Sequence, residues 1–210
     1  MIRNIIWDVD GTLFDTYPAF AKSFRQAVND LGKDVPLDWI TAAAKISMDY
    51  CITALAERCQ VTPEDIAERF SVHYARIGPQ DQPPFDHVRE ICQFIQKNGG
   101  KNLIVTHRHA GGLEKLLDAF NMRDFFACWI TADDDFPRKP DPAAFIHSLS
   151  THQLDPAQTM AVGDRAIDIL AGQGAGLIAC LFGNESHESK PELEIQSYKQ
   201  LLDWLIKQSK

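Results

Sequence analysis

The chain has 210 residues, 45% of them hydrophobic and 24% charged, and a formal net charge of −8. Such a length and mix support a buried core in one large domain or a main domain with a smaller insertion, and they exclude disordered and fibrous classes. The acidic balance argues against a nucleic-acid-binding surface, because affinity there comes from Lys and Arg neutralising phosphates.

No stretch approaches the roughly 20 apolar residues that cross a bilayer, so no membrane partner is expected. Met1-Ile2-Arg3-Asn4 leads into an apolar run without a signal-peptide pattern, and a soluble, cytoplasmic protein is the expectation. The five cysteines contain no C-x-x-C pair, which suits reduced, buried thiols. Cys51 and Cys59 can share a helix face, but a zinc site would need further ligands nearby.

The first element is the run Ile5-Ile6-Trp7-Asp8-Val9-Asp10-Gly11-Thr12-Leu13, a short apolar strand that stops on two carboxylates at alternate positions. Taken alone it is a strand followed by an Asp-Gly turn. Helical spacing of apolar residues then predicts helices over 19–31, 37–44, 50–58 and 63–77, with no strand among them. Residues 78–84 are too proline-rich for a helix or a central strand and read as a link between domains.

Beyond the link the pattern alternates. A helix is expected over 86–97, a turn at Gly99-Gly100, a strand over 102–106, a helix over 112–120 and an apolar run over 125–130. A loop ending in Arg138-Lys139-Pro140-Asp141-Pro142 precedes a helix over 143–149. The remaining pattern predicts a strand over 159–162, a helix over 167–173, a strand over 177–181, a polar acidic connector over 184–194 and an amphipathic helix over 198–206. Strands alternating with helices imply right-handed crossovers and a mainly parallel sheet. The fold class is therefore α/β, with a core of residues 1–14 and 84–210 and a small all-helical insertion at 15–83.

The expected central strands end on polar groups: Asp8 and Asp10, Thr106, and Asp164 after Val162-Gly163, with Lys139 in a loop after the 125–130 run. If those strands are parallel neighbours, their carboxyl ends bring carboxylates, a hydroxyl and an ammonium into one crevice. Clustered carboxylates repel unless a hard cation lies among them, and Mg²⁺ suits carboxylate oxygens with water and phosphate. A lysine and a hydroxyl beside such a cation suit the oxygens of a transferring phosphoryl group.

The D-x-D-G-T loop (Asp8, Asp10, Gly11, Thr12), strand-end Thr106, Lys139 in Arg138-Lys139-Pro140 and Gly163-Asp164-x-x-x-Asp168 occur in order over nearly the whole length. In this the chain resembles the haloacid dehalogenase superfamily, in the branch with a helical cap inserted after the first catalytic loop. The resemblance implies a Rossmann-like core, a small all-helical cap domain and phosphatase or phosphomutase chemistry. It makes Asp8 the nucleophile and Asp10 the general acid and base. Mg²⁺ would be held by Asp8, the backbone carbonyl of Asp10 and Asp164, with Asp168 orienting water or coordinating more loosely. Thr106 and the backbone amides around Gly11 and His107 would hold phosphate oxygens, and Lys139 would offset charge on nucleophile and phosphate.

The overall pattern is similar to phosphoglycolate-phosphatase-like and β-phosphoglucomutase-like members, which implies a small phosphorylated metabolite as partner and a monomer or weak dimer. Pro83-Pro84-Phe85-Asp86 departs from the Pro-Gly turn of many relatives. For the cap, Asp15, Thr16, Tyr17 and Phe20 at its entry and Lys45 and Ser47 between two of its helices are the expected substrate-reading residues, Lys45 meeting a second anionic group.

Blander roles stand beside these. A strand-terminal Thr106 can cap the following turn, Asp168 can cap its helix, Lys45 can be a surface lysine, and Arg108 can meet substrate or face solvent. His107 is expected to contribute mainly backbone amide contacts, since Asp10 already supplies acid and base. The run Asp133-Asp134-Asp135 is expected to be solvated or to cap a short turn. A phosphomutase, and a non-catalytic interaction module on the same fold, are the alternative functions.

Overall fold

A computed structural model describes residues 1–183 and 189–208. It divides into two compact units: Met1–Phe14 with Pro84–Lys210, and Asp15–Pro83.

The first unit is built on a parallel six-stranded sheet. Its strands are β1 (Asn4–Trp7), β2 (Asn102–Val105), β3 (Phe126–Ile130), β4 (Thr159–Gly163), β5 (Ile178–Phe182) and β6 (Leu193–Ile195), in the spatial order β3-β2-β1-β4-β5-β6. The order runs outward in both directions from β1, so the first strand lies between the second and fourth. That reversal opens a crevice at the carboxyl ends of β1, β2 and β4.

Alternation along β1 assigns its side chains to two cores. Ile5 and Trp7 pack with Val88, Ile91, Leu113, Leu116, Leu201 and Leu205, from the helices over Val88–Lys97, Ala110–Ala119 and Tyr198–Gln208. Ile6 faces the opposite side with Phe145, Leu149 and Ala171, from the helices over Ala143–His152 and Ala166–Gly174. Both faces are covered, which is why β1 reads as a continuous apolar run.

The second unit contains α1 (Tyr17–Asp30), α2 (Leu37–Ile46), α3 (Met48–Cys59) and α4 (Pro63–Tyr74). It has its own core, in which Phe24 stacks on Phe70 at 4.1 Å between ring centroids and Phe70 stacks on Tyr74 at 5.3 Å. Thr62 and Asp65 form a reciprocal capping box that starts α4. Continuing in chain order, the helices of the first unit are α5 (Val88–Lys97), α6 (Ala110–Ala119), α7 (Ala143–His152), α8 (Ala166–Gly174) and α9 (Tyr198–Gln208).

The α/β class and parallel sheet stand as the sequence implies. Several elements differ. Part of the 184–194 connector lies outside the described residues, and its end is strand β6, which pairs with β5. Only Leu193 and Ile195 alternate with Glu194 there, too short a pattern to announce a strand. Helix α6 begins at Ala110 rather than 112 because Asp133 Oδ2, distant in sequence, accepts the Ala110 N–H at 2.7 Å. Helix α7 runs on to His152 and stops where Gln153 turns left-handed at φ 52°. The proline-rich link includes a single 3-10 turn over Pro79–Asp81, with proline in the first turn, where its missing N–H costs nothing.

Candidate active site at the strand ends

Asp8 follows β1 directly, and its N–H still donates to Val162 O at 2.9 Å, so the carboxylate is fixed by the sheet. Gly11 adopts φ 76°, and its N–H donates to Phe14 O at 2.9 Å, closing the Asp-rich loop on itself. The expected phosphate-binding amide of Gly11 is therefore engaged inside the loop. Thr12 ties the loop to its surroundings. Its hydroxyl donates to Asp164 Oδ1 at 3.2 Å, and its carbonyl accepts the Tyr198 hydroxyl of α9 at 2.8 Å.

Lys139 is the hub. Its Nζ donates to Asp8 Oδ1 at 2.6 Å and to Val105 O at 3.1 Å. It also lies 2.6 Å from Asp168 Oδ1, an ion pair without hydrogen-bond alignment, which leaves that buried oxygen with no hydrogen-bond partner. Burial opposes the ammonium form, but Asp168 and Asp8 outweigh it, and the Lys139 pKa is raised. For Asp8, burial pushes the carboxyl up against the lowering effect of Lys139, with Asp168 adding to the rise. The cluster thus holds more negative than positive charge in a site sheltered from water.

Asp8 Oδ2 is buried with no hydrogen-bond partner, and ligand oxygens of Asp8, Asp164 and Asp168 lie within 4.8 Å of one another. An orphaned carboxylate oxygen beside two further carboxylates is a donor set that fits a hard divalent cation. Asp168 also caps α8, its Oδ2 accepting the Arg165 N–H at 3.1 Å. Gly163 makes this position possible. A Cβ on Gly163 would stand 2.5 Å from Asp168 Cγ and 2.7 Å from its Oδ2.

The Thr106 hydroxyl accepts the Arg108 N–H at 3.1 Å, the turn-capping role, which leaves its own proton to donate elsewhere. His107 contributes its side chain as well as its backbone. Its Nε2 accepts the Lys139 N–H at 2.9 Å, fastening the loop that carries the lysine. Burial first, then Lys139 and Arg138, push the imidazole down to about 3, so at neutral pH it is an acceptor. Arg108 neither faces solvent nor extends freely. Its guanidinium grips Asp10, with Nε at 3.1 Å from Oδ1 and 3.2 Å from Oδ2, and Nη2 also donates to Oδ1.

The site residues predicted from the first unit thus gather at one end of the sheet. Lys45 and Ser47 belong to the helical unit. Lys45 Nζ lies 5.5 Å from the Tyr17 ring centroid, and Ser47 Oγ caps α3 by accepting the Tyr50 N–H at 2.9 Å. In the acidic run, Asp133 caps α6 and Asp134 Oδ2 accepts the Thr131 N–H at 2.8 Å and its hydroxyl at 3.0 Å.

Three contributions escaped the sequence: the His107 imidazole, the Arg108 grip on Asp10 and the Tyr198 anchor. The pair His107-Arg108 directly after Thr106 was a signal that two polar side chains lie beside the site, not of the groups they meet. Tyr198, on the last helix, offered none.

The sequence model of the haloacid dehalogenase-like hydrolase family matches residues 5–182. The chain is similar to curated proteins named phosphoglycolate phosphatase, from Psychrobacter arcticus (26% identical, covering 97% of this chain and 95% of that protein) and Photobacterium profundum (29%, 96% and 95%). Among solved structures, a hydrolase from Streptococcus pneumoniae TIGR4 is 28% identical with a TM-score of 0.71, covering 96% of this chain and 98% of that one. A predicted phosphoglycolate phosphatase from Haemophilus somnus 129PT shares the fold at a TM-score of 0.82 and 19% identity, covering 97% and 98%. The chain belongs to the haloacid dehalogenase-like hydrolases.

Proposed function

We propose that this enzyme is a Mg²⁺-dependent phosphatase that hydrolyses a small phosphorylated metabolite, of the phosphoglycolate or sugar-phosphate type, through an aspartyl-phosphate on Asp8. The observation that carries the reading is the state of Asp8: one oxygen held by Lys139 at 2.6 Å, the other buried and unpartnered. A carboxylate so fixed and so poorly solvated is a nucleophile prepared for an electrophile that brings its own countercharge.

Asp8, Asp164 and the backbone carbonyl of Asp10 would hold Mg²⁺, with Asp168 orienting its water or coordinating more loosely. Bound there, the cation would supply charge stabilisation at the phosphate oxygens. Lys139 keeps Asp8 aimed and offsets charge on the incoming phosphoryl group, while the Thr106 hydroxyl and the His107 amide hold phosphate oxygens. Asp8 attacks phosphorus as the ester P–O bond breaks, and the leaving oxygen takes a proton from Asp10. Asp10 then takes a proton from the water that attacks the phosphoryl group, which leaves as inorganic phosphate and restores Asp8.

The helical unit is the proposed cap, with Lys45 and Ser47 as candidate substrate-reading residues. Five free thiols are compatible with a cytoplasmic setting.

The test is phosphate release from phosphoglycolate, sugar phosphates, nucleotides and pyridoxal phosphate with Mg²⁺. Asp8→Asn is expected to abolish release with an unchanged circular-dichroism spectrum, and Asp10→Asn to slow both steps. Release by purified Asp8→Asn at the wild-type rate removes the mechanism.

A further inference from the structure

We propose that Arg108 reads a second anionic group on the substrate, and that in the free enzyme its guanidinium is stored on Asp10, which it releases when the substrate anion takes its place. This rests on the phosphatase reading and on Asp10 as acid and base, and it adds a specificity residue to that site.

The backbone of Arg108 is fixed beside the phosphate-binding strand end. Its N–H donates to Thr106 Oγ1 at 3.1 Å, and its carbonyl accepts the Ala132 N–H at 3.0 Å. The side chain crosses from there to Asp10 past Gly112 in the first turn of α6, where a Cβ would stand 3.4 Å from Nη1 and 3.5 Å from Cγ. At its end the guanidinium spans both oxygens of Asp10. The Arg108 side chain is only 9% exposed and that of Asp10 23%.

Two consequences follow from that position. Asp10 is the group that must meet the leaving oxygen, so a guanidinium lying on Asp10 occupies the side of the site where the rest of the substrate extends beyond that oxygen. The planar fork of an arginine matches a carboxylate or a second phosphate, bound through two parallel N–H donors. The second consequence concerns Asp10. The guanidinium lying across both Asp10 oxygens stands where the leaving oxygen must come, so the fork must withdraw before the P–O bond breaks, and Asp10 then takes from solvent the proton it gives to that oxygen.

A substrate that brings its own anion offers Arg108 one ion pair in exchange for another. A neutral ester offers no exchange, and the latch stays closed. Recognition and release of the acid are then one event, so the second anion acts on kcat as well as on KM.

The experiment compares wild type, Arg108→Gln and Arg108→Lys on phosphoglycolate and on 2-hydroxyethyl phosphate, an analogue of similar length whose far end is neutral, at saturating Mg²⁺. Arg108→Gln is expected to lose about 30-fold or more in kcat/KM on phosphoglycolate and to gain about threefold in kcat on the neutral ester, as the latch opens. Arg108→Lys should recover part of the loss on the carboxylate ester. Equal losses on both esters would make Arg108 a residue that only orients Asp10, and retained activity of Arg108→Gln on phosphoglycolate would leave it no role in recognition. Either result overturns the proposal.

Binding separates the site from the reaction. The unreactive 3-phosphonopropionate should raise the Tm of wild type more than that of Arg108→Gln, and 3-hydroxypropylphosphonate should not distinguish them. Discrimination by the phosphonates without phosphate release from either ester would remove the hydrolysis reading and keep the anion site. Equal stabilisation of both proteins by 3-phosphonopropionate overturns the site itself.

Discussion

Lys139 holds two buried carboxylates together. Its Nζ is 2.6 Å from oxygens of both Asp8 and Asp168, and all three side chains are at most 3% exposed. Removing one member of a buried ionic cluster costs more than the cluster contributes, because the remaining charges stay desolvated and now repel. Lys139→Met is therefore expected to lower the unfolding free energy by about 3–5 kcal/mol in the absence of divalent cation. Added Mg²⁺ should restore part of that loss, since a cation among the carboxylates replaces the missing countercharge. Urea unfolding with and without Mg²⁺ measures both effects, and a variant as stable as wild type would show that the two carboxylates tolerate one another unaided.

Thr106 and Asp168 each combine a local role with a group left over for the proposed chemistry. The Thr106 hydroxyl accepts from the Arg108 amide and keeps a proton to donate, and Asp168 caps α8 through one oxygen while the other meets Lys139. The bland and functional readings of these residues are compatible because each group has more than one hydrogen-bonding site. Asp10 and Arg108 are different. Their pairing engages both partners, and sequence spacing across 98 residues could not announce it.

At the scale of elements, Asn102 is the joint that places β1 and β2 beneath the site. It is fully buried. Its Oδ1 accepts the Trp7 indole N–H at 3.1 Å, and its Nδ2 donates to Cys92 O at 3.0 Å and to Phe125 O at 3.3 Å. One side chain thus links β1, α5 and the turn before β3, next to a register irregularity between Asn102 and Leu103.

Asn102→Leu keeps the volume and strands the Trp7 indole N–H in a dry core. The expected cost is about 2–3 kcal/mol, read as a lower urea midpoint with an unchanged m-value. A neutral substitution would mean that the indole finds another acceptor. The sequence shows why this joint was illegible: an Asn heading an apolar run looks like a strand-entry residue, and its partners come from three separate elements. Elements with a long apolar period, such as α5, were legible because packing repeats along them. β6 was not, because three residues carry too little pattern.

At the scale of the whole molecule, the two compact units differ in how the chain makes them. Asp15–Pro83 is continuous in sequence, and the other unit is made of Met1–Phe14 and Pro84–Lys210. The break in the latter is closed locally: Phe14 and Pro84 pair as an isolated antiparallel bridge, and the Phe85 N–H donates to Leu13 O at 3.1 Å. Ends held that close can be joined by a short turn, because the entropy of closing a short loop is modest.

Replacing residues 15–83 with a short Gly-rich turn is expected to leave a cooperatively unfolding sheet unit. Circular dichroism during urea titration checks this. A non-cooperative transition would show that the sheet unit needs the helical insertion to fold.

The sequence by itself determined the α/β class, the parallel alternation of strands and helices, and the placing of Asp8, Asp10, Thr106 and Asp164 at strand ends with Lys139 in a following loop. These are local properties: a period of two or 3.6 and the residue where a buried run meets polar chain. Only the tertiary structure decided which groups pair. It set Lys139 between Asp8 and Asp168, His107 on the lysine's loop, Tyr198 under the Asp-rich loop and Arg108 across Asp10. Each of those contacts joins residues far apart in the chain, and its geometry depends on strand order and register, which no local pattern encodes.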